Sequence, residues 1–202
     1  MLRVENLSLR YDDHPVFQGL THTFQPGCVA LCEESSTGKS SLLAIIAGVL
    51  APTTGDVWID EHSLSQAPQP FKAHVAYVPE DCLLFPMQTG RGLLEQVATE
   101  KQVALNDDIL GFAYELGLEP HLDKRFEQMS TGTRRKVFLT AAALGNPKVI
   151  VADGPSNGLD AGACTVLAKY FQTWAQDRVV LFATHDHELV QACGANLFRI
   201  AE

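Results

Sequence analysis

Hydrophobic and polar positions alternate along the first residues. Leu2, Val4, Leu7 and Leu9 are apolar around a break at Glu5-Asn6, a period of two that predicts a half-buried strand ending at Tyr11. Asp12-Asp13-His14-Pro15 interrupts it, and Val16 to Phe24 reads as the returning strand. Pro26-Gly27 then turns the chain into a continuous apolar run, Cys28 to Cys32, of the kind buried on both faces. The period changes to that of a helix at Lys39, with Leu42, Ile45, Ile46, Val49 and Leu50 on one face. A turn at Ala51 to Gly55, a short strand from Asp56 to Asp60, a polar loop from Ser63 to Pro70 and a buried strand from His74 to Val78 follow. From Phe85 to about Leu144 the pattern is helical only. One helix, capped by Asp107-Asp108, carries Ile109, Phe112, Ala113 and Leu116 and stops at Gly117. Another starts after Ser130-Thr131-Gly132, runs through Val137, Phe138 and Ala141, and ends at Gly145. Strand and helix then alternate again. Val149 to Ala152 is a buried strand ending in Asp153, and the next helix has the stripe Ala163, Val166, Leu167, Tyr170, Phe171 and Trp174. Val179 to Ala183 is a further buried strand, and a last helix and strand follow.

This order predicts an α/β fold with an antiparallel β-layer at the N-terminal side and a helical subdomain at roughly 83 to 145, all within a single domain over 1 to 202. With 202 residues, 46% of them hydrophobic, the chain buries one sizeable core or a core with a satellite. The longest apolar run, Leu42 to Ala51, falls short of the roughly 20 residues needed to cross a bilayer. Met1 to Tyr11 alternates like a strand and lacks the pattern of a secretory leader. The expectation is a soluble cytoplasmic protein that meets a membrane only through a partner. A net charge of −9 opposes a general nucleic-acid surface, leaving Arg134-Arg135-Lys136 as a candidate local basic patch. The five cysteines are scattered without a C-x-x-C spacing, which fits reduced thiols, with Cys28 and Cys32 in the core.

Candidate chemistry centres on the polar loop between the Cys28 to Cys32 strand and the helix at Lys39. A strand, a short loop ending Gly38-Lys39-Ser40 and a helix make the layout of a P-loop. Backbone N–H groups and a helix N-terminus face a phosphate chain, Lys39 adds a cation, and Ser40 offers a hydroxyl to Mg²⁺. Downstream, Asp153 ends an apolar strand, where an Asp serves either as a turn or cap residue or as the second Mg²⁺ carboxylate of a P-loop NTPase. Tyr11, at the end of the first strand, is either half-buried edge packing or a platform for a base.

Taken together, these segments resemble the ATP-binding subunit of ABC transporters over essentially the whole chain. Tyr11 matches the adenine-stacking aromatic, Glu33 to Ser41 the Walker A loop and Val78-Pro79-Glu80-Asp81 the Q-loop. Met129 to Lys136 is similar to the family signature, Val149 to Asp153 to Walker B, Asn157-Gly158-Leu159-Asp160 to the D-loop, and Ala183 to Asp186 to the segment carrying the switch histidine. The resemblance implies ATP and Mg²⁺ as cofactors. Ser36, Thr37, Gly38, Lys39, Ser40 and Ser41 would meet the phosphates, and Ser40, Glu80 and Asp153 the metal. Glu80 and His185 would take part in catalysis. Ser130 and Gly132 would face the ATP held by a second cassette, and Asp160, in the D-loop, would join the nucleotide-binding residues. It also implies a homo- or heterodimer of cassettes and a separate membrane permease. Function would be the coupling of ATP binding and hydrolysis to transport; the alternative is a degenerate subunit, structural or regulatory, with weak nucleotide binding.

Four positions that depart from the family pattern carry consequences. Glu33 stands where the first P-loop glycine belongs, and Ser36 where another is common. A side chain held at positive φ costs about 1–2 kcal/mol, and a carboxylate about 7 Å from a phosphate charge repels it by roughly 2 kcal/mol at an effective dielectric near 20. Glu80 replaces the Q-loop glutamine. Gly154 follows Asp153 where the family has the glutamate that polarises water, a loss that lowers rates by about 10² to 10⁴.

Overall fold

The computed structural model describes residues 1–32, 37–83 and 85–200. Strands β1 (Leu2–Tyr11) and β2 (His14–Phe24) form an antiparallel hairpin. Its turn is only Asp12-Asp13, with Asp12 left-handed at φ 51°, so the break predicted over four residues is shorter and His14-Pro15 already belong to β2. Strand β3 (Gly27–Leu31) is followed by helix α1 (Lys39–Ile46). That helix ends earlier than the apolar stripe suggests. Gly48 adopts φ 70° and donates its N–H to the carbonyl of Ile45 at 2.8 Å, a left-handed glycine stop, and Val49 is exposed.

Strand β4 (Thr54–Ile59) pairs with β1 and with the short β5 (His62–Ser63), giving an antiparallel sheet in the order β2-β1-β4-β5. The stretch read as a polar loop therefore holds β5 and also a short helix, α2 (Pro68–Ala73), which buries Phe71. Strand β6 (Val75–Val78) follows. The next region is helical: α3 (Gly90–Glu100), α4 (Asp107–Glu115) and α5 (Thr131–Ala142). Its extended pairing, among the described residues, is an isolated bridge between Thr89 and Arg125. Helix α4 is capped by Asn106, which accepts from the N–H of Ile109 at 3.1 Å, and Asp107 and Asp108 lie in its first turn, where negative charge meets the positive helix end.

Strand β7 (Val149–Asp153), helix α6 (Ala161–Trp174), strand β8 (Val179–Ala183), helix α7 (His187–Cys193) and strand β9 (Asn196–Leu197) complete the chain. The second sheet is parallel, in the order β6-β7-β8-β3-β9. Both of its faces are covered, which is why β3, β7 and β8 read as unbroken apolar runs. Alternate residues serve the two cores. Val29, Leu31, Val149, Val151, Val179 and Leu181 pack with α1 and the antiparallel sheet. Cys28, Ala30, Ile150, Ala152, Val180 and Phe182 pack with the later helices. Cys28 is core as expected, whereas Cys32, beyond the strand end, is only partly buried. No helix of the described residues is long and apolar enough to cross a membrane.

Candidate functional site

The parallel register aligns Leu31, Ala183 and Asp153 in one row at the C-terminal ends of β3, β8 and β7. Ligands of open α/β sheets bind beyond this edge, and here it opens into a cleft of about 320 Å³. Gly38 to Ser41 line it from the start of α1. Glu80, Asp153, Gly154, Asn157, Ala183, Thr184 and His185 line it from the segments at and beyond the ends of β6, β7 and β8. Gly38 caps α1 at φ 87° and takes the N–H of Leu42 on its carbonyl at 2.8 Å. A Cβ on it would stand 2.5 Å from Cγ1 of Val16, so both conformation and space require glycine. Lys39 opens the helix and is buried. Glu33, Glu34, Ser35 and Ser36 fall outside the described residues, so the readings placed on Glu33 and Ser36 have no structural counterpart here.

The cleft brings carboxylates and a lysine together. Burial pushes the Asp153 carboxyl above its usual range and the charge of Glu80 adds to this, while a hydrogen bond from Ser40 and the charges of Arg135 and Lys39 oppose it. Burial, then Asp153 and Glu80, push the Tyr77 phenol up to about 12. A hydroxyl and two carboxylates are hard oxygen donors of the kind Mg²⁺ takes alongside water and phosphate. Among the described residues no three His, Cys, Asp or Glu side chains gather as a metal cluster.

Tyr11 is 52% exposed, more than the half-buried edge packing weighed for it, and its hydroxyl lies 3.4 Å from Oγ of Ser41. Thr37 is described but does not line the cleft, and His187, exposed, lies outside it. Ser130, Gly132 and Asp160 are likewise absent from the cleft and sit together elsewhere. Ser130 caps α5, accepting from the N–H of Thr133 at 3.1 Å. Gly132 lies so close to the D-loop that a Cβ would fall 2.0 Å from the carbonyl oxygen of Gly158. Asp160 caps α6 through the N–H of Ala163 at 2.9 Å and meets Lys136 at 3.3 Å. These two contacts hold its carboxyl below the usual range.

The candidate basic patch dissolves. Arg135 is fully buried, Arg134 donates to the carbonyl of Phe126 at 2.7 Å, and Lys136 is engaged by Asp160. Arg135 is instead a positioning residue behind the cleft, a role that sequence reasoning missed: its Nη1 donates to the carbonyls of Asp153 and Pro79, and its Nη2 to that of Glu80. One guanidinium thereby ties α5 to the end of β7 and to the segment after β6. Its position three and four residues before Phe138 and Leu139, on the buried face of α5, was the available signal. Asn157 was missed as a cleft residue. The four-residue turn from Gly154, closed by the N–H of Asn157 on the Gly154 carbonyl at 3.0 Å, could have shown it.

A family model described as "ABC transporter" matches residues 17–157. The sn-glycerol-3-phosphate import ATP-binding protein UgpC of Bartonella bacilliformis is 32% identical over 165 residues, covering 79% of this chain and 48% of that protein. The molybdenum import ATP-binding protein ModC of Pectobacterium atrosepticum is 30% identical, covering 80% of this chain and 47% of its own length. A cholesterol transporter of Rattus norvegicus, ABCA5, is 29% identical over 77% of this chain but only 10% of its own length. The chain thus spans about half the length of the two bacterial relatives and a tenth of the mammalian one. Among solved structures, the ATP-binding subunit of an ABC transporter superposes with a TM-score of 0.83 at 26% identity, covering 95% of this chain and 82% of that one. A dimeric bacterial ABC transporter cassette shares the fold, with a TM-score of 0.83 at 20% identity, covering 95% of this chain and 91% of its own. With the family model spanning more than half of its length and a cassette fold built around a P-loop cleft, this chain belongs to the ABC transporter family as an ATP-binding domain.

Proposed function

We propose that the chain is the ATP-binding subunit of an ABC transporter, coupling ATP binding and slow hydrolysis at a dimer interface to transport by a separate membrane permease. It would lie at the inner face of the cell membrane through that permease. The observation that carries the reading is the convergence of Lys39, Ser40 and Asp153 on one cleft at the ends of three parallel strands. In this cleft Gly38 to Ser41 bind the phosphates, with the helix end and Lys39 supplying positive charge. Tyr11 stacks on the adenine from the Ser41 side. Ser40 and Asp153, with Glu80 beside them, would hold Mg²⁺, which neutralises phosphate charge when bound. His185 faces the terminal phosphate from the end of the cleft. Ser130 and Gly132 lie outside it, so they serve the ATP of a second cassette, a copy of this chain or a related one, with Asp160 fixing the D-loop behind them.

Glu33 and Ser36 weaken the P-loop relative to a glycine-rich one, and Gly154 lacks the side chain that would polarise a water, so turnover is slow. The test is titration calorimetry with MgATP on the purified chain and on Lys39→Ala. Binding by the parent that Lys39→Ala weakens at least tenfold is the expected result. Equal binding by the two proteins, or none by the parent, would sink the reading.

A further inference from the structure

Gly154 sits beside Asp153 on the cleft wall at φ 57°, a left-handed conformation that side chains seldom adopt. The space a side chain would enter is already filled. A Cβ on Gly154 would lie 2.3 Å from Nδ2 of Asn157 and 2.9 Å from its Cγ. The turn that brings the two residues together is closed by the Asn157 N–H on the Gly154 carbonyl at 3.0 Å, and Gly154 is pinned to β8 by its own N–H on the Ala183 carbonyl at 2.9 Å. Asn157 is exposed and lines the cleft with Asp153 and His185. Among the described residues its carboxamide makes no hydrogen bond, so both N–H donors are free to serve a ligand.

We propose that Asn157 is a nucleotide-binding residue of this chain. Its carboxamide stands in the space next to Gly154 and donates to the terminal phosphate of a nucleoside triphosphate. The inference rests on the ATP-site reading above and deepens it. A carboxamide donates well to an anionic oxygen and has no basic atom near neutral pH, so this wall of the cleft holds the triphosphate without taking a proton from water. The site accordingly prefers ATP over ADP through Asn157. A carboxylate placed at 154 alone meets Asn157 before it meets any water.

The test uses the full chain and two separate readouts. Calorimetry with MgATP and MgADP on Asn157→Ala should show ATP affinity falling roughly tenfold, the loss of one hydrogen bond to a charged group, with ADP affinity within about twofold of the parent. Asn157→Asp, nearly the same shape, should lose more ATP affinity than Asn157→Ala because its carboxylate faces the phosphate. The second readout is thermal and independent of nucleotide. Gly154→Ala should lower the melting temperature, and adding Asn157→Ala should restore part of the loss, a coupling expected of side chains competing for one space. If the parent binds MgATP and Asn157→Ala weakens ATP and ADP equally, or neither, the proposal is overturned while the ATP site stands. No relief of Gly154→Ala by Asn157→Ala overturns it as well. A parent that binds no MgATP removes the site itself, and the proposal with it.

Discussion

Arg135 donates from Nη1 to the main-chain carbonyl of Asp153 at 2.7 Å, across 18 positions of sequence and from a fully buried guanidinium. The same group reaches the carbonyls of Glu80 at 2.7 Å and Pro79 at 3.2 Å. The segment carrying the candidate metal carboxylate, the loop carrying Glu80 and the helix behind Ser130 thus share one anchor. Arg135→Ala strips donors from three carbonyls at once and should destabilise the chain by about 3 kcal/mol or more. Arg135→Lys keeps the charge but loses the planar fork and should fall between. Urea unfolding midpoints at constant slope are the measurement. A loss below about 1 kcal/mol for Arg135→Ala would show that water replaces the fork.

Gly132 and Gly158 bring α5 against the D-loop with no room between them: the added Cβ at 132 would sit 2.0 Å from a backbone oxygen, which cannot swing away as a side chain tip does. Gly132→Ala should therefore cost about 1–3 kcal/mol by forcing the helix end and the D-loop apart. For a chain of this size that is a melting temperature several degrees lower. Ser130→Ala, which removes only a cap, should cost about 1 kcal/mol. Thermal denaturation of the two variants side by side decides whether the close approach or the cap matters more.

Asp60 offers a pH test remote from the cleft. Its carboxyl is held well below the usual range, at about 2, first by the hydrogen bond from Lys148 and next by the Met1 amino group. A depressed folded-state value means that the contribution is complete above the unfolded-state value near 4 and disappears as pH falls through the folded value near 2. Asp60→Asn should therefore be less stable than the parent at pH 6, with the gap closing between about pH 4 and pH 2. A gap that stays constant over that window would mean that the ion pair adds nothing and the amide merely packs worse.

The fold was legible wherever one physical constraint dominated a segment. β3, β7 and β8 are buried on both faces, so their runs of Val, Ile, Leu and Ala had no other reading. The β1 alternation marked the half-covered antiparallel sheet. Helix α2 was hidden because Pro68 and Pro70 look like loop residues, although proline is accepted in a first helical turn, and because only Phe71 is buried. The end of α1 was missed because Val49 and Leu50 continue the apolar stripe beyond Gly48, and the glycine's positive φ outweighs that stripe. Of the residues that line the cleft, Lys39, Ser40, Glu80, Asp153 and His185 were read as candidates because each lies in a motif next to a strand end. Arg135 was not, because a run of three basic residues reads as a solvated face. The three carbonyls it serves come from positions 79, 80 and 153, which only the folded chain brings together.

The last prediction follows from the separation of Ser130 from the cleft that holds Lys39. A single chain supplies the P-loop wall, Asp153 and His185, but Ser130 and Gly132 line no part of that cleft. Ser130→Asp is a selective probe, because aspartate caps a helix about as well as serine and should leave α5 intact while adding a negative charge at its positive end. The isolated Ser130→Asp chain should bind MgATP within about twofold of the parent, since its own cleft is unchanged, whereas Lys39→Ala should lose at least tenfold. In the composite site proposed above, ATP-dependent pairing with a cassette should respond in the opposite sense to position: Ser130→Asp would set a carboxylate against the partner's terminal phosphate, a repulsion of roughly 2 kcal/mol or more at about 7 Å and an effective dielectric near 20. Where two copies of this chain pair, mixing Lys39→Ala with Ser130→Asp places both defects at one composite site and leaves the other whole. ATP-dependent association measured by sedimentation should then exceed that of either variant alone. Loss of MgATP binding by the isolated Ser130→Asp chain would show instead that the signature segment acts on its own cleft, and the division between the two halves of the site would fall.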